Sequence, residues 1–267
     1  MTLTFNLHQG TAPLLVSMPH LGVALPDELK PNYVPRALEL EDADWHLNHL
    51  YNFLKDMGAS ILTPVFSRYV IDLNRPPDDA PMYPGASNTE LCPTRFFTGD
   101  PLYKEGCQPD ADEKLRRREI YWQPYHQALS GELSRLRLLH SNVLLWDAHS
   151  IRGEIPWLFD GKLPDLNVGT ANGLAAAESV GLAVMEVCSQ QEQFTHVLNG
   201  RFKGGYITRC YGNPQGGIHA VQLEKCQSVY MNELPPYEYK PELAAQVQPL
   251  LHKMVAAALN QVKSLSL

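Results

Sequence analysis

The sequence predicts an α/β fold: one domain over residues 1–267, with a mixed, largely parallel sheet flanked by helices. Three observations carry that prediction. Short apolar runs rich in branched residues alternate with segments of helical period, the pattern of a layered α/β protein. The clearest run, NVLLWDAHS at 142–150, is mostly apolar from Val143 to Asp147 and then turns polar, as a buried strand does when it ends in a site. The 267 residues, 44% hydrophobic and 19% charged, suffice for a sizeable core, and no internal repeat or linker divides them.

Each element can be justified in chain order. PLLVSM (13–18) reads as a buried strand that stops at Pro19-His20. A helical pattern starts near Asp44, with Leu47, Leu50, Tyr51 and Leu54 spaced to share one face, and Gly58 closes it. SILTPVF (60–66) and YVIDLN (69–74) resume strand character. From Arg75 to Gly106 the chain is dense in Pro, Gly, Asp, Asn and Thr with no period, a long loop of the kind that is usually functional. Charged residues at helical period run from Asp110 to His140, with a break or kink at Pro124. After the 142–150 strand come a Gly/Ala-rich helix over 173–188 and two strands, GGYITRCYG (204–212) and GIHAVQLEKC (217–226). An amphipathic helix follows over 241–264.

Composition excludes several classes. Twenty-nine acidic against 22 basic residues give a net charge of −7, a field that repels nucleic acid and anionic membrane. A local basic pocket for a small anion is compatible with it. No run is long and apolar enough to span a membrane. MTLTFNLHQG has neither a basic n-region nor an apolar h-region, so no secretory leader is expected. Five cysteines, an odd count without a CxxC pair, fit a reducing, cytoplasmic setting and argue against a disulfide framework or a thiolate zinc site. Oligomeric state leaves no signal.

Sites in open α/β sheets form at the carboxyl ends of strands. Three such ends here carry reactive groups: His20 in SMPHLG, His149 in DAHSIR and Glu224 in HAVQLE. Two converging neutral imidazoles suit one divalent transition metal, zinc above all, and a carboxylate would complete three protein ligands. Asp44 shares the inward face of its predicted helix, where an unpaired carboxylate is costly unless it meets a cation. Asp42, Asp27 and Glu28 compete with it, and Asp42 also reads as a helix N-cap. His46 and His49 read as ordinary helix residues, and Cys226 as a buried, inert thiol. Arginines form a second constellation suited to carboxylates: Arg75, Arg152, Arg201 and Arg209, with Lys203 beside Arg201. The P-loop spacing, a strand-following GxGxxG and the GxSxG elbow are all missing from the sequence.

Taken together, SMPHLG, DADWHLNHLY, RYVIDLNRPPDD, YWQPYHQAL, DAHSIRGEIPWLF, NGRFKGGYITRCYG and HAVQLEKCQSVYMNE resemble the N-formylglutamate deformylase (N-formylglutamate amidohydrolase) family, in the same order and over nearly the whole chain. That family is similar in turn to the zinc carboxypeptidases and their related deacylases. The resemblance implies hydrolysis of N-formyl-L-glutamate to formate and L-glutamate, with a small N-acyl amino acid bearing carboxylates as substrate. It also implies His20 and His149 as metal ligands and Glu224 as general base. Carboxypeptidases carry a glutamate three residues after the first histidine, where this chain has Val23, so the carboxylate ligand is assigned to Asp44. Asp147 is expected to orient a ligand. Arg75, Arg152 and Arg209 are expected to read the substrate, Arg201 and Lys203 to hold it or the loop, and Tyr83 and Tyr211 to bound the pocket. Two other readings share these features: a metallo-deacylase or carboxypeptidase-like enzyme for another N-acyl amino acid, and a non-catalytic binder of an acidic metabolite.

Overall fold

Long apolar runs end up at the centre of a sheet, because only a strand covered on both faces can hold them. In the computed structural model, which describes residues 3–82 and 88–266, this is what happens to the 142–150 run. Strands β1 (Phe5–His8), β2 (Leu14–Ser17), β3 (Ser60–Pro64), β4 (Val143–Ile151), β5 (Leu166–Gly169), β6 (His196–Leu198) and β7 (Ile218–Cys226) make one sheet. Its order is β1-β3-β2-β4-β7-β5-β6. The middle four, β3, β2, β4 and β7, run parallel. β1 is antiparallel to β3 and β5 antiparallel to β7, so the sheet is mixed only at its flanks. All nine residues of β4 are buried.

Helices α1 (Leu47–Leu50), α2 (Ala111–Arg117), α3 (Gln123–Leu139), α4 (Glu178–Ser189), α5 (Tyr206–Tyr211) and α6 (Pro241–Ser264) complete the layers. Alternation along β4 sends Leu144 and Trp146 to one face, against α4 and α6, and Val143 and Leu145 to the other, against α3. No helix among the described residues is long and apolar enough to cross a membrane. Before α3 the chain makes one wide turn, Arg118–Trp122, in which the N–H of Gln123 reaches back to the carbonyl of Arg118. Pro124, which has no N–H to give, follows it directly. The expected interruption at Pro124 is this turn.

Three expectations need correction. YVIDLN is not a strand: Tyr69, Val70, Ile71 and Leu73 are buried in the core, but the segment turns, with Val70 N bonded to Ser67 O and Arg75 N to Asp72 O. Hydrophobic pattern reports burial, not whether a neighbouring strand is available to pair. The 204–212 strand is instead helix α5. Ile207 and Thr208 are buried on its inner side, and its start is fixed by Asn74, whose Oδ1 accepts from Ile207 N at 2.8 Å. Tertiary capping thus overrides a β-branched sequence. Asp44 lies ahead of α1, not inside its first turn, because the left-handed backbone of His46 (φ 63°) delays the helix.

Candidate active site

The parallel strands β2, β4 and β7 deliver three side chains to one cavity. His20 follows β2 across a tight turn, His149 sits near the carboxyl end of β4, and Glu224 is its register partner on β7. Asp44 arrives on the loop before α1, pinned by its own N–H to the carbonyl of His20 at 3.0 Å. All four side chains are buried.

His20, Asp44 and His149 turn their ligand atoms toward one point. His149 Nδ1 lies 3.2 Å from His20 Nδ1 and 3.3 Å from Asp44 Oδ2, and His20 Nδ1 lies 3.7 Å from the same oxygen. Ligands of a tetrahedral zinc at about 2.0–2.1 Å stand roughly 3.3 Å apart, so the triangle has the size such an ion needs. Asp44 Oδ2 is buried and has no hydrogen-bond partner, an arrangement that a cation would relieve. The group can therefore hold a metal.

The outer ring nitrogens are backed by carboxylates. His20 Nε2 meets Asp72 Oδ1 at 2.7 Å. The buried Arg68 gives Nη2 to Asp72 Oδ2 at 2.5 Å and points Nη1 at His20 Nδ1 from 3.4 Å. Arginine can only donate, so the lone pair of His20 is on Nδ1, the nitrogen facing the triangle. His149 Nε2 lies 3.1 Å from both Asp147 Oδ1 and Asn74 Nδ2. Burial alone would lower the basicity of this imidazole, but Asp147 and then Asp44 outweigh it and push it up to about 10. Asp44 shows the converse. Burial alone would raise it, yet the nearby imidazoles of His149 and His20 hold it well below the usual carboxylate range. Both shifts favour the charged forms, an imidazolium set against a carboxylate.

Glu224 is different. Its carboxylate has no hydrogen bond or ion pair among the described residues, and it lines the same cavity. Burial, followed by the opposing pull of His149 and the repulsion of Asp44, pushes it up to about 7. An unpaired carboxyl with that affinity for protons, facing a cavity, is equipped to take up and release one.

The arginines divide. Arg75 and Arg201 line the cavity; Arg75 is braced by Thr89 O, Thr89 Oγ1 and Asn74 O, and Arg201 by Leu158 O. Arg152 is not on the wall, because its guanidinium is engaged by Asp42 at 3.0 Å and Glu41 at 3.3 Å. Arg209 is not there either. Since 206–211 is a helix, its side chain is carried to the outer surface, beside Lys203. Asp42 is spent on Phe97 N, Tyr69 Oη and Arg152, while Asp27 pairs with Lys30 at the surface and Glu28 is exposed. Asp44 alone of the four candidate carboxylates reaches the histidines. Tyr211 bonds His126 behind the cavity, and Tyr83 lies outside the described residues.

Sequence reasoning missed Arg68, Asp72, Asn74 and Gln222 as members of this site. Asp72 and Asn74 were legible as IDLN directly ahead of Arg75, but reading that run as a strand hid them. Their loop is held from behind by His126, whose Nε2 bonds the carbonyl of Leu73 at 2.9 Å and whose Nδ1 meets Tyr211 Oη at 2.8 Å. The ring stacks on Trp122 at 3.7 Å. Burial pushes His126 down to about 4. An unfolded histidine takes its proton near 6.5 and this one does not, so stability is expected to fall as pH drops from about 6.5 to 4. The size is about 3 kcal/mol. Urea unfolding of wild type and His126→Gln at pH 7 and pH 4.5 checks it; parallel losses in both would refute the assignment.

The fold and site together define an α/β protein with a buried His–Asp–His group able to hold a metal, set beside an unpaired carboxylate at the ends of parallel strands. The sequence comparisons narrow this. Residues 12–231 match the N-formylglutamate amidohydrolase family model, and the chain belongs to that family. It is 50% identical to the N-formylglutamate deformylase of Pseudomonas putida and 45% identical to that of Pseudomonas aeruginosa, each over 95% of both chains. Its fold is similar to the crystal structure of N-formylglutamate amidohydrolase from Ralstonia eutropha JMP134, with TM-score 0.80, 22% identity and 97% of each chain covered. A gene product of Agrobacterium tumefaciens is also similar, with TM-score 0.73, 18% identity and coverage of 98% of this chain and 96% of that one.

Proposed function

We propose that this chain hydrolyses N-formyl-L-glutamate to formate and L-glutamate. The observation that carries the reading is the unpaired, proton-avid Glu224 facing the same cavity as the His20–Asp44–His149 group. The substrate class follows from the family and from the names of the Pseudomonas relatives.

His20 and His149, each through Nδ1, and Asp44 through Oδ2 would hold one divalent ion, with zinc fitting a nitrogen-rich set of this size. When bound, it supplies Lewis acidity toward the formyl oxygen and lowers the pKa of water. The remaining work belongs to the chain's own groups. Glu224 accepts the proton of the water that attacks the formyl carbon. It returns that proton to the amide nitrogen as the C–N bond breaks, so that glutamate leaves as an amine. Asp72 and Asp147 hold the two imidazoles in orientation. Arg75 and Arg201 offer the cationic surface that two carboxylates need in a net-acidic protein. We take the domain to span residues 1–267, and its five free thiols fit a cytoplasmic setting.

Turnover of N-formyl, N-acetyl and N-succinyl amino acids by the purified protein, with its metal content, tests the reading. N-formylglutamate is expected to give the highest kcat/KM, and dialysis against a chelator to abolish it. A preference for an acetyl or succinyl substrate would keep the metal chemistry and replace the substrate. A metal-free protein that binds glutamate without turnover would make it a binding protein.

A further inference from the structure

Gln222 stands two residues before Glu224 on β7, so both side chains leave the same face of the strand and line the same cavity. It is 3% exposed. Its Oε1 accepts from the N–H of Gly205 at 2.6 Å, and this settles which end of the amide is which. With the oxygen turned to Gly205, the two N–H donors point away from it. Apart from that bond the Gln222 side chain makes no hydrogen bond among the described residues. An amide whose acceptor is anchored and whose donors open on the cavity is half of an interaction.

The register gives its depth. Glu224 pairs with His149 and Gln222 with Asp147, so Gln222 lies one pleat repeat, roughly 6–7 Å, further from the carboxyl end of the strand than the proposed base. In an extended N-formylglutamate the formyl carbon and the side-chain carboxyl carbon are five bonds, roughly 6 Å, apart. A substrate with its formyl group at the level of Glu224 and His149 can therefore place its side-chain carboxylate at the level of Gln222. Asp147, the nearest anion on that level, is occupied by Thr208 at 3.0 Å and faces His149.

Resting on the functional reading above, we infer that the Gln222 side-chain amide reads the substrate's side-chain carboxylate and sets the preference for glutamate over its uncharged amide. It is a specificity-determining residue, not a proton carrier. Gly205 is part of the device: the loop before α5 passes so close to Asn74 that a Cβ at 205 would sit 2.3 Å from Asn74 Nδ2. The backbone N–H therefore stays where Gln222 needs it.

The experiment is kcat/KM for N-formylglutamate and N-formylglutamine in wild type, Gln222→Met and Gln222→Glu. The ratio within one variant cancels any damage common to both substrates, including a disturbed Glu224. Wild type is expected to favour N-formylglutamate, and Gln222→Met to shrink that ratio about tenfold to a hundredfold, the worth of a hydrogen bond to a charged group. Gln222→Glu keeps an acceptor for Gly205 N, so it holds the loop even if the methionine variant folds poorly. It turns an acceptor toward the substrate, and its ratio should shift further toward N-formylglutamine. An unchanged ratio in both variants of an active enzyme overturns the inference and leaves Gln222 as a brace for Gly205. A wild type that hydrolyses neither compound overturns the functional reading, and this inference with it.

Discussion

Glu224→Gln is expected to lose about two to four decades of kcat, the usual contribution of a positioned general acid–base, while keeping its fold and the proposed metal. The substitution is isosteric, and Glu224 makes no hydrogen bond or ion pair with the described residues that the amide could break. Stability should move the other way. The folded carboxyl is pushed up to about 7, whereas an unfolded glutamate ionises near 4.3. Across that window the unfolded state loses its proton first, so folding stability declines as pH rises through it. Glutamine removes the decline, and above pH 7 the variant's Tm should equal or exceed that of wild type. The wild-type rate should fall on the acid side as Glu224 protonates, with the limb at or below about 7 because a cation in the site lowers it. Near-normal turnover in Glu224→Gln would make the residue structural.

How much of this was legible in the sequence follows from what holds each residue in place. His20 and His149 stand in or just after strands whose apolar runs are nearly continuous, and Glu224 ends one whose apolar residues alternate; either pattern announces both the strand and its polar end. The centre of the sheet was readable for the same reason. β1, β5 and β6 have only four, four and three residues, too few for a period to stand out. Asp72 and Asn74 escaped because their segment is buried without being paired, and pattern alone does not separate those cases. Arg209 was misplaced by the same kind of error: a β-branched run was held as a helix by Asn74, a residue more than 130 positions earlier. Arg152 carried the right chemistry for a carboxylate and found two on its own chain, Glu41 and Asp42.

Asp44→Asn and Asp42→Asn should fail in different ways, and the contrast bears on the proposed ligand with the weakest signal in the sequence. Both residues are buried carboxylates two positions apart. Asp42 is saturated by Phe97 N, Tyr69 Oη and Arg152, so its loss leaves buried donors unmatched and is expected to lower stability by about 1–3 kcal/mol with metal content intact. Asp44 gives Oδ2 to no hydrogen bond and holds it within 3.7 Å of both inward imidazole nitrogens. Its amide cannot supply the charge, and the variant should lose metal and turnover together, as should His149→Ala. Replacing partners behind the ligands typically weakens metal binding about 10–100-fold. Asp72→Asn, which leaves all three ligand atoms in place and disturbs only the backing of His20, is therefore expected to fall in that range, and the direct ligands beyond it. Metal content after dialysis, set against unfolding midpoints of the same samples, orders the four variants. Full metal occupancy in Asp44→Asn or His149→Ala would remove that residue from the ligand set, and loss of metal in Asp42→Asn alone would move the carboxylate ligand to Asp42.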